Sequence, residues 1–276
     1  MAWDDIPRSH SFSLGDFHDF DSCVFKFFVN HNLNKKYELA EGSNNQTIGS
    51  LLDLAVKKLH LSKAYNQPPD YLVNLIKAAE NEIREKVAKA GHFSFYGAQI
   101  PYLTEENISK AKEVFKNYLQ NVKKVYQGLS TTTFWDYIIP GSTPIKIWGG
   151  PDAVEMGEDS IPEVIDYKYY ENGTDRVDMD LMPKVYILLC SKELQKAGYS
   201  RARFKVKLWN EPENESFYEE FDLDTVPNLA NFFQDKIERI LRTKELSFCE
   251  KDYCKVCKSE KRQEWIKELQ NQGWIE

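Results

Sequence analysis

Gly150-Pro151-Asp152-Ala153, followed by Val164-Ile165-Asp166-Tyr167-Lys168, is the stretch on which the reading of this chain turns. The second piece is rich in β-branched and aromatic residues and reads as a strand, entered after the turn signal Gly157-Glu158-Asp159. Successive strand side chains point to opposite faces, so Asp166 and Lys168 share one face while Ile165 and Tyr167 share the other. A hairpin-like return from the preceding strand brings Asp152 beside them. Two carboxylates about a strand spacing apart make a hard-oxygen site suited to Mg²⁺ or Mn²⁺. Such an ion polarises a phosphoryl oxygen and acidifies water, and a neighbouring lysine can orient that water or stabilise charge developing on phosphorus. The grouping therefore points to phosphodiester hydrolysis. An Asp-x-Lys tripeptide by itself is more often a surface ion pair of little worth; the Gly-x-Asp one strand upstream tips the balance. Glu163 falls on the Ile165 side by strict alternation and is a weak candidate.

Upstream of this stretch the periodicity is helical. Leu14, Phe17, Phe20, Val24, Phe27 and Phe28 recur at three- and four-residue steps, the stripe of an amphipathic helix. Gly49 to Leu61 predicts a second helix, Pro68-Pro69-Asp70 opens a third that runs to about Ala90 and stops at Gly91, and Thr104 caps a fourth with its stripe from Ile108 to Val122. Beyond residue 130 the spacing predicts strands over Thr131 to Ile139, Pro144 to Val154 and Ile161 to Tyr170. A helix from about Asp178 to Ala197, a hairpin of Arg201 to Trp209 with Phe217 to Leu223, a helix over Val226 to Arg242 and a short one near Trp265 complete the reading. The expected organisation is a helical region over 1–130, a core over 131–245 and a cysteine-bearing tail over 246–276, together one structural unit. The class is α/β.

Hydrophobic residues at 42% suffice for a sizeable core, and charged residues at 29% with many aromatics argue against disorder. The longest apolar run, Val185 to Cys190, is too short to span a bilayer. Met1-Ala2-Trp3-Asp4-Asp5 is acidic with no hydrophobic segment behind it and reads as lacking a signal peptide, so a cytoplasmic protein away from membranes is expected. A net charge of −7 offers no global attraction to nucleic acid, which disfavours a simple basic binding module. Local basic groups remain candidates. Arg201, Arg203, Lys205 and Lys207 alternate with Ala202, Phe204, Val206 and Leu208, and can either line a nucleic-acid groove or form the solvated face of an outer strand. Lys57-Lys58 and Lys123-Lys124 are weaker candidates, and His10, His18 and His31, without ligand spacing, read as surface or capping groups.

Five cysteines, an odd number, speak against a disulfide framework. Cys190 lies in the apolar run of a helix and reads as core. Cys249, Cys254 and Cys257 fall within nine residues, so three thiolates can converge on one ion or cluster.

In the order and type of these motifs the chain resembles the PD-(D/E)XK nuclease superfamily, and within it the RecB-like exonucleases of the CRISPR-associated and AddB nuclease-domain type, from about Ser11 to Cys257. Ser11-Phe12-Ser13 with Phe20-Asp21-Ser22-Cys23 looks like the family's first helix with its first cluster cysteine. Ile48-Gly49-Ser50-Leu51-Leu52-Asp53 stands where the family has a glycine followed four residues later by a metal-binding histidine. Gly150-Pro151-Asp152 matches the first-aspartate motif, Ile165-Asp166-Tyr167-Lys168 the (D/E)XK motif, and Tyr186 the tyrosine of a Gln-x-x-x-Tyr helix. Asp53 replaces the histidine and Met182 the glutamine, and the cysteine gaps of four then two residues differ from the family's usual two then five. The resemblance implies a central mixed β-sheet of the restriction-endonuclease-like type flanked by helices. It implies Asp152, Asp166, Lys168 and Tyr186 as catalytic residues, with Asp53, Asp152 and Asp166 holding Mg²⁺ or Mn²⁺. It implies Cys23 as the fourth thiolate beside Cys249, Cys254 and Cys257, around a [4Fe–4S] cluster or, alternatively, structural Zn²⁺. The expected partners are DNA, as single strands or duplex ends, and other CRISPR or repair proteins. The expected activity is that of a DNA exonuclease in CRISPR spacer acquisition or repair; the alternative is a catalytically weakened DNA-binding or assembly module that keeps the fold and cluster.

Overall fold

A computed structural model of the chain describes residues 6–36, 38–39, 41–64, 67–90, 94–120, 135–141, 143–169, 180–209, 211–249, 251–252 and 254–276. In chain order these form β1 (Ser11–Ser13), α1 (Leu14–Ser22), α2 (Val24–Phe27), α3 (Asn44–Ser62), α4 (Pro69–Leu72), α5 (Asn74–Ala90) and α6 (Glu105–Gln120). There follow β2 (Trp135–Ile139), β3 (Ile145–Gly149), β4 (Ala153–Met156), β5 (Pro162–Lys168), α7 (Met182–Lys196), β6 (Arg201–Leu208) and β7 (Glu211–Asp222). The helices α8 (Val226–Arg242), α9 (Lys255–Lys258) and α10 (Arg262–Asn271) close the chain. The α/β class, the mixed sheets, the helical front half and the cysteine-bearing tail are as the sequence predicts. The elements divide between two compact units, each discontinuous in sequence.

The first unit comprises Met1–Ala40, Asp136–Gly149 and Pro227–Glu276. Its sheet runs in the order β1-β3-β2, with β1 parallel to β3 and Phe12 opposite Ile147. Ser13 opens α1: its backbone N–H donates to Asp16 Oδ2 at 2.7 Å, so the orphan donor of the helix start is satisfied locally. The long helix predicted from Leu14 to Phe28 is interrupted at Cys23, which is extended with φ −169° and ψ 107°. Its Sγ accepts from Lys26 N at 3.4 Å, so the break becomes the cap of α2. The core is aromatic. Phe12 and Phe27 stack against the His31 ring at 5.0 and 4.9 Å, and Phe17 meets Phe233 of α8 at 5.2 Å. His31 is thus a buried core residue with Nδ1 3.2 Å from Asp16 Oδ1, a correction to its reading as a surface or capping group.

The second unit comprises Glu41–Trp135 and Gly150–Val226. Its four-stranded sheet has the order β4-β5-β6-β7, with β5–β6 parallel and the two outer pairs antiparallel. The strand predicted from Pro144 to Val154 divides at Gly149-Gly150-Pro151, and its halves, β3 and β4, belong to different sheets. Proline supplies no amide donor and glycine no side chain to pack, so this segment ends one strand rather than extending it. Ile48, Leu51, Leu52, Ala55 and Leu59 give α3 its apolar side; they join Ile76 and Ile83 of α5, Ile108 and Phe115 of α6, and Ala153, Ile165 and Tyr167 of the sheet in one core. By strand alternation Val164, Asp166 and Phe204 lie on the opposite face, where Tyr186 of α7 meets the Phe204 ring at 5.8 Å. Gly198 stops the helix, with φ +89° in the region open to glycine. Predicted features at Gly91, Val122, Thr131 to Phe134 and Asp178 lie outside the described residues.

Candidate active site and cysteine site

β-Sheet register places the first two carboxylates. Asp152 precedes β4; its N–H donates to Ile165 O at 2.9 Å, continuing the β4–β5 ladder by one residue. Its Oδ2 accepts the Tyr167 N–H at 2.7 Å, so the backbone between Asp166 and Lys168 holds Asp152 in place. Asp166 is 2% exposed and its Oδ2 lies 2.5 Å from Lys168 Nζ. Apart from that ion pair, Asp166 Oδ2 takes no hydrogen bond in good geometry, and the buried Asp53 Oδ1 has no hydrogen-bond partner among the described residues. Asp53 comes from α3, four residues before Lys57 and so on the same side of the helix.

These groups act on one another. Burial, and after it the Asp166 charge, raise the Asp152 carboxyl to about 6 against the pull of Lys168, Lys57 and the Tyr167 N–H. Asp53 is pushed well above the carboxylate range by burial and then by Asp152, opposed by Lys57 and Lys168. Burial works to discharge Lys168, but Asp166 above all holds it charged, so its acidity falls below that of an ordinary lysine. Burial and the Asp166 charge keep the Tyr186 phenol protonated. Five side chains from α3, the β4–β5 pair and α7 therefore converge in one unit. Three carboxyls crowded together, two carrying buried oxygens short of partners, are a donor set that suits a hard divalent cation. Met182 is buried at the start of α7 and presents no polar group where the family pattern has glutamine.

Lys57 is a neighbour that sequence reading passed over as a weak basic pair; the signal available was its four-residue spacing from Asp53. Lys58, its sequence neighbour, pairs instead with Glu82 at 2.6 Å. Lys123-Lys124 lies outside the described residues. The basic stripe of β6 runs on an inner strand and is paired within its own unit. Arg201 pairs with Glu220 at 2.9 Å, and Arg203 with Glu220 at 3.0 Å and with Asp159. Lys205 pairs with Glu163 at 3.0 Å and Lys207 with Glu155 at 3.1 Å. All four cations meet carboxylates of their own unit, so the stripe is an internal ion-pair ladder. Glu155 also accepts the Tyr167 hydroxyl at 3.0 Å, which seats that ring, stacked on Trp209 at 4.4 Å, beneath the site.

The cysteines meet within the first unit. Cys23, from the break between α1 and α2, lies with Cys249, Cys254 and Cys257 so that all four sulfurs are within 4.8 Å of one another. The Cys23–Cys257 separation is 3.3 Å and the Cys249–Cys257 separation 3.9 Å. The Cys254-x-x-Cys257 pair turns on α9, where Lys258 N donates to Cys254 O at 3.2 Å. Phe25 N donates to Ser247 O at 3.1 Å, tying the two ends of the chain beside the thiols. None of the cysteines is in a disulfide. Four convergent thiols can bind a metal ion or an iron–sulfur cluster. Cys190, fully buried in α7, is core, and burial pushes its thiol well up.

A family model described as the PD-(D/E)XK nuclease superfamily matches residues 11–262, and the chain belongs to that superfamily. Membership implies a hydrolase acting on nucleic acid, and the superfamily's members commonly use divalent cations. No curated protein matches the sequence. Among solved structures, the "Crystal structure of SSO0001" aligns at 14% identity over 85% of this chain and 92% of that one, with a TM-score of 0.26. Rai1 of Scheffersomyces stipitis, solved in complex with (3'-NADP)+ and calcium ion, aligns at 12% identity over 75% of this chain and 59% of that one, with a TM-score of 0.22. Neither likeness carries weight beyond the alignment itself. No helix among the described residues is long and apolar enough to cross a membrane.

Proposed function

We propose that the protein is a Mg²⁺- or Mn²⁺-dependent deoxyribonuclease, a RecB-like exonuclease serving CRISPR spacer acquisition or DNA repair alongside other proteins of those systems. The observation that carries the reading is the convergence of Asp53, Asp152, Asp166 and Lys168, with buried carboxylate oxygens of Asp53 and Asp166 short of hydrogen-bond partners, in a chain of a nuclease superfamily. Asp152 and Asp166 would hold the ion, with Asp53 completing its shell. When bound, that ion supplies a Lewis acid for the phosphoryl oxygen and acidifies water toward a usable nucleophile. Lys168, kept charged by Asp166, donates to the oxygen on which negative charge accumulates. Tyr186 stays protonated and so acts as a hydrogen-bond donor that orients substrate rather than as a base. The Tyr167 N–H fixes the Asp152 carboxylate against rotation.

Cleavage of labelled single- and double-stranded DNA with Mn²⁺, comparing the parent with Asp166→Ala, tests this. Loss of at least a hundredfold in rate, on the order expected when a central electrostatic group is removed, supports it. Equal cleavage by both proteins refutes it, and DNA binding without any metal-dependent cleavage by the parent would assign the chain to the non-cleaving binding or assembly class.

For the cysteine site the family resemblance favours [4Fe–4S]. The convergence of four sulfurs to within 4.8 Å of one another also suits structural Zn²⁺, which Cys23, Cys249, Cys254 and Cys257 would hold. Iron, sulfide and zinc analysis of anaerobically purified protein decides between them.

A further inference from the structure

The side of α3 that carries Asp53 has a second charged member. Gly49, Asp53 and Lys57 follow one another at four-residue intervals, with Asp53 between the other two on that side. A Cβ on Gly49 would lie 3.8 Å from the Cβ of Tyr169, the residue after Lys168, so this side is turned to the end of β5 where Asp166 and Lys168 stand. Side chains on a helix lean toward its N-terminus, which carries the partly buried Lys57 back toward Asp53. Burial raises the carboxyls of Asp53 and Asp152, and the Lys57 charge pulls against that rise at both. Lys57 nevertheless makes no ion pair among the described residues. The cations around it are committed: Lys58 to Glu82 at 2.6 Å, Lys86 to the same carboxylate at 2.7 Å, and Lys168 to Asp166 at 2.5 Å.

The charge balance of the site gives this cation a task. A bound ion is held by deprotonated carboxylates, and three of them are offset by one divalent ion together with the Lys168 ammonium. Without Lys57 the loaded site is neutral and exerts no pull on an anionic substrate, in a chain whose net charge is −7. Lys57 makes it cationic. We propose that Lys57 is the substrate-binding cation of this site, pairing as a point charge with a phosphate of the nucleic-acid strand. The inference rests on the nuclease reading above and assigns binding rather than chemistry to Lys57. Its contact is made equally before and during the reaction, whereas Lys168 meets charge that develops only in the transition state.

Initial rates of strand cleavage with Mn²⁺, and anisotropy of a fluorescein-labelled strand with Ca²⁺ in its place, are compared for the full-length parent, Lys57→Gln and Lys57→Arg. Lys57→Gln should raise KM roughly tenfold while changing kcat by less than about twofold. Strand binding should weaken by roughly the same factor at low salt, with the slope of log affinity against log salt reduced by about one. Lys57→Arg should restore most of the loss. Affinity for Mn²⁺ without substrate, read by calorimetry, should be equal or tighter in Lys57→Gln, because a cation beside the carboxylates is gone.

A fall in kcat with KM unchanged overturns the proposal, as does a parent that binds no strand. Loss of Mn²⁺ affinity along with strand affinity also overturns it, since Lys57 would then support the carboxylates. Equal KM, strand affinity and salt slope in parent and Lys57→Gln remove the proposal and leave the nuclease reading standing. A parent that cleaves nothing sinks that reading instead, and the Ca²⁺ binding comparison alone then decides Lys57. Should Lys57→Gln fail to fold, Lys57→Met, which keeps the apolar stem, takes its place in every measurement.

Discussion

Replacing Asp152 by Asn should stabilise the metal-free protein while removing its activity. Burial and the Asp166 charge raise the Asp152 carboxyl from 3.8 to about 6, so the folded protein prefers it protonated and folding takes up a proton between these values. Stability of the parent therefore falls as pH rises from about 4 through about 6 and then levels off. Each tenfold change in acidity corresponds to about 1.4 kcal/mol, which sets the cost of an ionised Asp152 at pH 7 at no more than about 3 kcal/mol, because the residue keeps part of its surface in water. Asparagine removes the charge and keeps an oxygen to accept the Tyr167 N–H. In a chain of this length the difference amounts to about 5 °C in Tm. Scanning calorimetry of both proteins from pH 4 to 8, without divalent metal, should show a gap in favour of Asp152→Asn that is absent near pH 4 and full by pH 7. Adding Mn²⁺ should raise the Tm of the parent and leave that of the variant unchanged. A variant equal to or less stable than the parent at pH 7, with no pH-dependent gap, would refute the reasoning that these carboxyls repel one another.

Cys257→Ser should strip the bound metal, read by elemental analysis, and lower the unfolding temperature, since Cys257 lies 3.3 Å from Cys23 and 3.9 Å from Cys249. Arg203→Ala should leave DNA affinity unchanged in a fluorescence-anisotropy titration while costing on the order of 1 kcal/mol in denaturant unfolding, because its partners are Glu220 and Asp159. Phe12→Ala should cost about 3–5 kcal/mol by the same unfolding measurement, as the ring is fully buried and stacks on both Phe17 and His31.

What could be read from the sequence alone depended on whether the deciding interaction was local. The Asp166–Lys168 pair follows from the two-residue pleat, and its position beside Asp152 from a short hairpin; both are properties of neighbouring residues. The helices α3, α5 and α6 announce themselves by their apolar periodicity. The β6 stripe left two readings open because its partners, Glu155, Glu163 and Glu220, lie in three other strands, and only the pairing register brings each to its cation. His31 misled for a similar reason: polarity is visible in a sequence, but two phenyl rings stacked on it from β1 and α2 are not. The interruption at Cys23 has no breaker residue to mark it, and a three-residue strand such as β1 is too short to leave a pattern.

The first unit is composed of the opening forty residues, a short middle stretch and the closing fifty. During synthesis the leading piece therefore leaves the ribosome with its partners still untranslated, and Phe12, Phe17 and Cys23 must wait for Phe233, Cys249 and Cys257. The second unit is complete once Val226 has emerged. A message truncated shortly before the final cysteines would thus yield a chain that holds every residue of its carboxylate centre but only one of its four clustered thiols.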